Sequence, residues 1–342
     1  MVTELPQPKP ATIYDVAREA KVSHQTVALY LRGHTGFRAE TRERVERALR
    51  DLNYRPNRAA RALATRRSYR IAALVYEMLE IGPAKTIQGA AERAREAGYL
   101  LDVVAVDPDD ASALDRAIET VDAQDVAGVV AFAPVDQLLG RLEGATFHVP
   151  VLLETEPGDE AQAESIHSRG LDPIVDHLVG LGHTRIGYLG GPPDWLAARN
   201  RETALREALA RHGLEPAGVV YGNWSSASGH AAVLGAGWLE DVTALVVAND
   251  QTALGAILAL TERGFRVPDD ISVTGFDDTP EAAFYRPPLT TVRIDYAQQG
   301  RDLVERLLAR IDPDTVGGGE PATRAPELVI RASTAPPSMP AR

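Results

Sequence analysis

The chain of 342 residues holds 36 Lys and Arg against 48 Asp and Glu and no cysteine, which excludes disulfides, cysteine-bound zinc or iron–sulfur centres and a cysteine nucleophile. Residues 1–70 hold 15 Lys and Arg against 7 Asp and Glu, so the remainder holds 21 against 41, and a basic head of +8 precedes an acidic body of −20. At ~100–200 residues per domain two or three domains are expected; with no apolar run near the ~18 residues of a membrane span and no signal-peptide core in MVTELPQPKP, the chain reads as soluble and cytoplasmic.

The basic head alone suits a polyanion, which the overall pI of about 5.2 conceals. After a disordered tail over residues 1–10, the stretch ATIYDVAREAKVSHQTVALYLRG predicts two short helices joined by a tight turn. Thr12 can cap the first helix, with Asp15 reaching back as in a capping box. Ile13, Val16 and Ala17 share one face. Lys21 and Val22 turn the chain, and Ser23 caps the second helix. Val27 and Leu31 recur at helical spacing and should pack on the first helix. His24, Gln25, Ala28 and Leu29 then face outward, as a helix-turn-helix presents polar groups to base edges and apolar groups to thymine methyls. Caps alone fit an ordinary helical hairpin equally well; their coincidence with the basic block favours DNA.

A third helix is predicted from about Glu40 to Leu52, with Val45, Leu49 and Leu52 closing a three-helix core. Arg38, Arg42, Arg44 and Arg47 are available for phosphates. Beyond Pro56, Asn57 can cap a short Ala- and Arg-rich segment from Arg58 to Ala64, too short to be a stable helix alone. It reads either as a flexible linker or as a hinge that folds against DNA. In the second case Leu63, its one large apolar side chain, suits a minor-groove wedge.

From Tyr69 strands alternate with helices. RIAALVY, LLDVVAV, VAGVVAF and VPVLLE are strands of a first half, with a helix from about Pro83 to Ala97. A helix in LDPIVDHLVGLG leads into RIGYLGG, GVVYG, ALVVA and ISVTGF, with helices from about Trp195 to His212 and Gln251 to Arg263. Near-continuous apolar strands between helices indicate parallel sheets covered on both faces. Two such halves predict two doubly wound subdomains with a cleft, and ligands in such folds sit beyond the C-terminal strand ends. Arg199, Arg201, Asn249, Asp250, Asp277 and Asp278 fall at those ends.

The segments TIYDVA, VSHQTVA, TRERVE, LNYRPNR, HLVGLGH, GNWSSASG, VANDQTALGA, DISVTGFDDT and PPLTT, in this order and spacing, resemble the LacI/GalR (lac repressor) family of transcription regulators. The likeness runs over about residues 12–334. It implies a helix-turn-helix headpiece at 11–56, a hinge and linker at 57–68, and a periplasmic-binding-protein-like core at 69–335, ending in a tail at 336–342. The core would divide into an N-subdomain of about 70–167 and 294–324 and a C-subdomain of about 168–293 and 325–335. The resemblance places His24, Gln25 and Leu29 at base-reading positions, where the lac-type pattern has Tyr, Gln and Arg. Without that Arg the operator should differ from the lac-type one, since a guanine-reading fork is worth ~1–3 kcal/mol of discrimination. Thr12, Tyr14, Ser23, Thr26, Arg38 and Asn57 fall at DNA-contacting positions. Leu63 falls on the hinge leucine, and Ala60 and Ala64 keep the small residues that let paired hinges approach. In the cleft the resemblance implies effector binding by Arg201, Asn249 and Asp277, joined by Pro83 and by Tyr296, where the lac-type pattern has Phe.

Arg and Asn would donate to sugar hydroxyls, and Asp would accept two of them. Trp224 in GNWSSASG offers an aromatic face to a pyranose. Taken singly, each has a structural explanation, as a helix cap or as core. Ile294 stands where the lac-type pattern has Gln, which leaves the identity of the sugar open. An enzyme is disfavoured: no GxGxxG, P-loop, GxSxG or HExxH occurs, and GYLGGP has the wrong spacing for a dinucleotide loop. A secreted sugar-binding protein would lack the helix-turn-helix. The expectation is a homodimeric repressor of a palindromic double-stranded operator, released by a small sugar, a galactoside or related glycoside, with no cofactor and no membrane partner. The alternative is a corepressor-dependent repressor of the purine type. The closing RASTAPPSMPAR has prolines and no leucine, so no tetramer-forming heptad helix is expected from it.

Overall fold

The structure, a computed structural model, describes residues 11–31, 34, 36–54, 67–76, 78, 80–106, 110, 112–133, 135–154, 166–313 and 324–338. The hinge candidates Asn57, Ala60 and Leu63 lie outside them. The chain divides into two compact units, Met1–Ser68 and Tyr69–Arg342.

The smaller unit packs three helices, α1 (Ile13–Glu19), α2 (His24–Leu31) and α3 (Ala39–Asp51). Both predicted caps are present. The Thr12 hydroxyl accepts from Asp15 N at 3.3 Å while Asp15 Oδ2 accepts from Thr12 N at 2.9 Å. Ser23 Oγ accepts from Thr26 N at 3.1 Å. A cap of this kind is worth about 1 kcal/mol. Lys21, at φ 50°, makes the turn between α1 and α2. Val16, Ala17, Ala20, Val27, Val45 and Ala48 form the buried core, with Leu31, Leu49 and Leu52 against it. Since each fully buried Val contributes roughly 1.5–3 kcal/mol, Val16, Val27 and Val45 hold the three helices at a fixed angle.

The larger unit contains two four-stranded sheets whose strands are all parallel. The first has the order β2-β1-β3-β4, built from β1 (Arg70–Tyr76), β2 (Leu100–Val106), β3 (Gly128–Phe132) and β4 (Val151–Glu154). Its helices are α4 (Ile81–Glu96), α5 (Ala113–Asp122) and α6 (Asp136–Gly144). The second has the order β6-β5-β7-β8, built from β5 (Ile186–Gly190), β6 (Val219–Tyr221), β7 (Ala244–Val247) and β8 (Ser272–Thr274). Around it run α7 (Ile166–Gly180), α8 (Leu196–Arg211), α9 (Ser226–Gly235) and α10 (Asp250–Glu262). Residues 71–75 of β1 and all of β3, β5 and β7 are buried, as strands covered on both faces must be. A short antiparallel pair, β9 (Thr291–Arg293) with β10 (Glu327–Val329), flanks α11 (Tyr296–Ile311). A helical head with two doubly wound parallel sheets is the fold class the sequence predicted.

Two helices differ from expectation. α4 starts at Ile81, before Pro83, because a proline within the first turn lacks only an N–H that has no intrahelical partner. α7 starts at Ile166, with Pro173 inside it. One crossing matters for the cleft. A Cβ on Gly89 of α4 would stand 1.8 Å from the Ala297 carbonyl oxygen, and one on Gly300 of α11 would stand 1.9 Å from that of Thr86. The two helices therefore meet backbone to backbone, which sets Tyr296, the first residue of α11, beside the mouth of the first sheet. No helix among the described residues is long and apolar enough to cross a membrane.

Candidate functional site

On the head, α2 turns Val27 inward and leaves Ser23, His24, Gln25 and Leu29 exposed. Tyr14, 63% exposed on α1, sets its ring 5.2 Å from that of His24, so the two helices present one continuous face. Ser23 and Thr26 share a hydrogen bond of 2.9 Å between their hydroxyls. Thr12 lies at the cap of α1 and Arg38, exposed, at the cap of α3.

In the body, a cleft of about 130 Å³ opens at the C-terminal strand ends of both sheets. All six candidates, Pro83, Arg201, Trp224, Asn249, Asp277 and Tyr296, line it. Arg201, only 6% exposed, donates to the Ala248 carbonyl, to Asp277 Oδ1 at 3.4 Å and to the Tyr296 hydroxyl at 3.2 Å. Tyr296 in turn donates to Asp277 Oδ1 at 2.6 Å. The guanidinium carbon lies 4.2 Å from the centre of the Phe276 ring and 5.4 Å from that of Trp224, near enough for cation–π attraction. A buried charge is tolerated when it is paired and hydrogen-bonded, and this one is both.

Asn249 serves as a helix cap as well as a lining residue. Its Oδ1 accepts from Thr252 N at 2.9 Å, and its Nδ2 donates to the Trp224 carbonyl at 3.0 Å. The cap of α10 thereby fixes the loop that carries Trp224. Trp224 and Asp277 both adopt positive φ, 70° and 107°. Such backbone costs of order 1–3 kcal/mol and persists only where the surroundings over-determine it. For Asp277 they include a bond from its N–H to the Val292 carbonyl at 2.8 Å. The indole N–H of Trp224 is a buried donor that no acceptor among the described residues meets. Beneath the site Asp250 is fully buried and accepts from Thr291 Oγ1 at 2.5 Å and Thr279 N at 2.7 Å. Burial, reinforced by the charge of Asp277, pushes its pKa up to about 7.

Ile294 lies in the buried core around α7 and β5, away from the cleft lining. Asp278 turns from the cleft to Arg293 and Arg331, at 2.8 and 2.6 Å. Arg199 pairs with Asp136 on α6. Sequence reasoning missed Tyr76, Glu80, Phe132, Glu154, Trp195 and Gln299 in the lining. The strand-end rule could have found three of these, because Tyr76, Phe132 and Glu154 close β1, β3 and β4.

Residues 12–57 match the family model described as bacterial regulatory proteins, lacI family, and residues 175–334 match a periplasmic binding protein-like domain. The lactose operon repressor of Escherichia coli K12 is 37% identical over 91% of this chain and 88% of its own. The transcriptional repressor PurR of Haemophilus influenzae is 31% identical over 94% of this chain and 98% of its own. A crystal structure of the lac repressor dimer bound to operator and the anti-inducer ONPF superposes with a TM-score of 0.79 at 36% identity, covering 96% of this chain and all of that one. With one relative this similar over nearly the whole length, and with both halves matched, the chain belongs to the LacI family of bacterial regulatory proteins, which bind DNA to regulate transcription and are not enzymes.

Proposed function

We propose that this protein is a cytoplasmic repressor that holds a palindromic operator as a homodimer and is released by a small sugar, a galactoside or related glycoside. The observation that carries the sugar reading is the Arg201–Asp277–Tyr296 network beside Trp224 in a cleft of the same chain that bears the helix-turn-helix. An aromatic ring for the apolar face of a pyranose, next to a carboxylate that takes hydroxyl protons and donors for the ring oxygens, is the chemistry of a carbohydrate site. Arg201, Asn249, Asp277 and Tyr296 would hold the hydroxyls, with Trp224 and Pro83 against the apolar parts. Binding can shift the operator equilibrium only by the difference in sugar affinity between the two states of the body.

The test is fluorescence anisotropy on an operator selected from a random duplex library, at one stated salt concentration because phosphate contacts dominate the salt slope. Galactosides or related glycosides should lower operator affinity, and purines should leave it unchanged. A purine that raises operator affinity would replace the inducer reading by the corepressor one.

On the DNA side, His24, Gln25 and Leu29 would read bases. Thr12, Tyr14, Ser23, Thr26, Arg38 and Asn57 would position the head, with Ala60 and Leu63 at a paired hinge. Leu29→Arg together with His24→Tyr should then move the selected site toward the lac-type operator. An added guanine fork is worth ~1–3 kcal/mol, or about 5- to 150-fold in preference. A selected-site pattern identical to that of the wild type would mean that α2 does not lie in the groove.

A further inference from the structure

We propose that Leu29 reads a C5-methyl group in the major groove, so that operator affinity depends on a thymine or a 5-methylcytosine beneath α2. The inference rests on the reading above that α2 lies in the groove, and it names what one of its side chains recognises. Three residues of α2 are exposed, His24, Gln25 and Leu29. Leu29, 43% exposed, is the large apolar side chain among them. The inner side of the helix is already filled. Val27 is fully buried, Leu31 packs on the head core, and Tyr30 reaches α3 by donating to Glu46 Oε1 at 2.9 Å. Leu29 stands two residues from Val27, about 200° round the helix, and so faces away from that core.

Gln25 and Leu29, four residues apart, project side by side from one strip of the helix. The strip carries no formal charge, because HQTVALYL holds no Lys, Arg, Asp or Glu. Guanine is read best by an Arg or Lys fork, and α2 has neither. What it does have fits A·T pairs. The Gln25 amide can bond adenine N6 and N7 together, and an apolar side chain one turn along meets the methyl of a thymine. A lone exposed leucine is ordinary on a protein surface. This one stands beside Gln25 on a face whose other end is closed by the Tyr14 ring, 5.2 Å from that of His24.

The consequence is a head that senses a single methyl group. The C5 position in the major groove carries a methyl in thymine and in 5-methylcytosine, and a hydrogen in uracil and in cytosine. Burying one methyl against a leucine is worth about fourfold in affinity. A palindrome presents the methyl once in each half-site, which makes about fifteenfold for a dimer. An arginine in the same place would bond the O6 and N7 of guanine and would not register the methyl. Methylation of a cytosine at this position would therefore strengthen binding, where a polar reader of the same base would be indifferent to it.

The test uses the full-length protein and the operator selected from a random duplex library, with anisotropy read at one salt concentration. Each thymine is replaced by deoxyuridine, symmetrically in both half-sites and one position at a time. One position should lose about fifteenfold in the wild type, and within about twofold in Leu29→Ala, whose side chain no longer reaches the base. Leu29→Met, which keeps reach and apolarity, should keep the sensitivity. Leu29 lies outside the head core, so both variants should fold. At the same position a C·G pair should bind about fifteenfold tighter when its cytosine is C5-methylated, and the methyl should make no difference to Leu29→Ala. If every uracil penalty is the same in the wild type and Leu29→Ala, while Gln25→Ala still alters the selected pattern, the methyl reading is overturned and α2 stays in the groove. If neither Gln25→Ala nor Leu29→Ala alters the pattern, the groove reading itself fails and takes this inference with it.

Discussion

Arg201→Ala is expected to give a repressor that binds its operator and no longer releases it. The guanidinium bonds Asp277 and Tyr296 and lies over Phe276, all within a wall that water barely enters. Each hydrogen bond that this guanidinium would give a sugar hydroxyl is worth ~1.5–3 kcal/mol, so losing two should weaken the releasing saccharide by about a hundredfold or more. Operator affinity without sugar should stay near wild type, because the head is a separate compact unit. The body itself should lose stability, since removing one partner of a buried pair costs about 3–5 kcal/mol. Asp277→Asn separates the two effects. It keeps the volume and an acceptor for Tyr296 but exchanges a carboxylate for an amide, so sugar affinity should fall about tenfold or more with a smaller loss of stability. Calorimetry on both variants, with the saccharide that releases the wild type, decides. Wild-type affinity in either would remove that residue from the effector site.

How much of this was readable beforehand varies with the length scale of the interaction. The caps at Thr12 and Ser23 depend on residues three apart, and they stand where the sequence put them. Strand β1 spans the same Arg70–Tyr76 that an apolar run bounded by polar residues predicted. The cleft was harder, because its two walls come from strand ends far apart in the chain. Asn249 and Asp277 stood out as polar groups after apolar strands. Tyr76 and Phe132 did not, because an aromatic at the end of an apolar strand looks like more core. Nor did Trp195, whose place depends on Arg199 reaching Asp136 across 63 positions of sequence. The positive φ of Trp224 and Asp277 was equally hidden: Trp disfavours it, Asp tolerates it without requiring it, and the packed loops around the cleft impose it. Pro83 misled the start of α4, since a proline near a helix start can stand at N3 as well as at N1.

The other large effect concerns assembly. α10 turns Ala253, Ala256, Ile257 and Leu260 into the core and leaves Leu254 and Leu258, one turn apart, 43% and 54% exposed. The adjoining turn packs Ala282 and Tyr285 under the same cluster while Phe284 is 83% exposed. Three large apolar side chains left in water on elements of one core suit contact with a second copy. A two-fold arrangement through this face would also supply the two recognition helices a palindrome needs. Replacing both leucines, Leu254→Glu with Leu258→Glu, should therefore yield a monomer by light scattering at micromolar concentration. Both side chains point outward, so the fold should survive and sugar affinity should stay near wild type. Operator binding should suffer most. A linked pair of heads gains about 10²–10⁴-fold over either alone, so affinity for the palindrome should fall by that factor while affinity for an isolated half-site holds. A dimer mass in the double variant would exclude α10 from the interface. A monomer that keeps full affinity for the palindrome would show that the heads pair on DNA without help from the body.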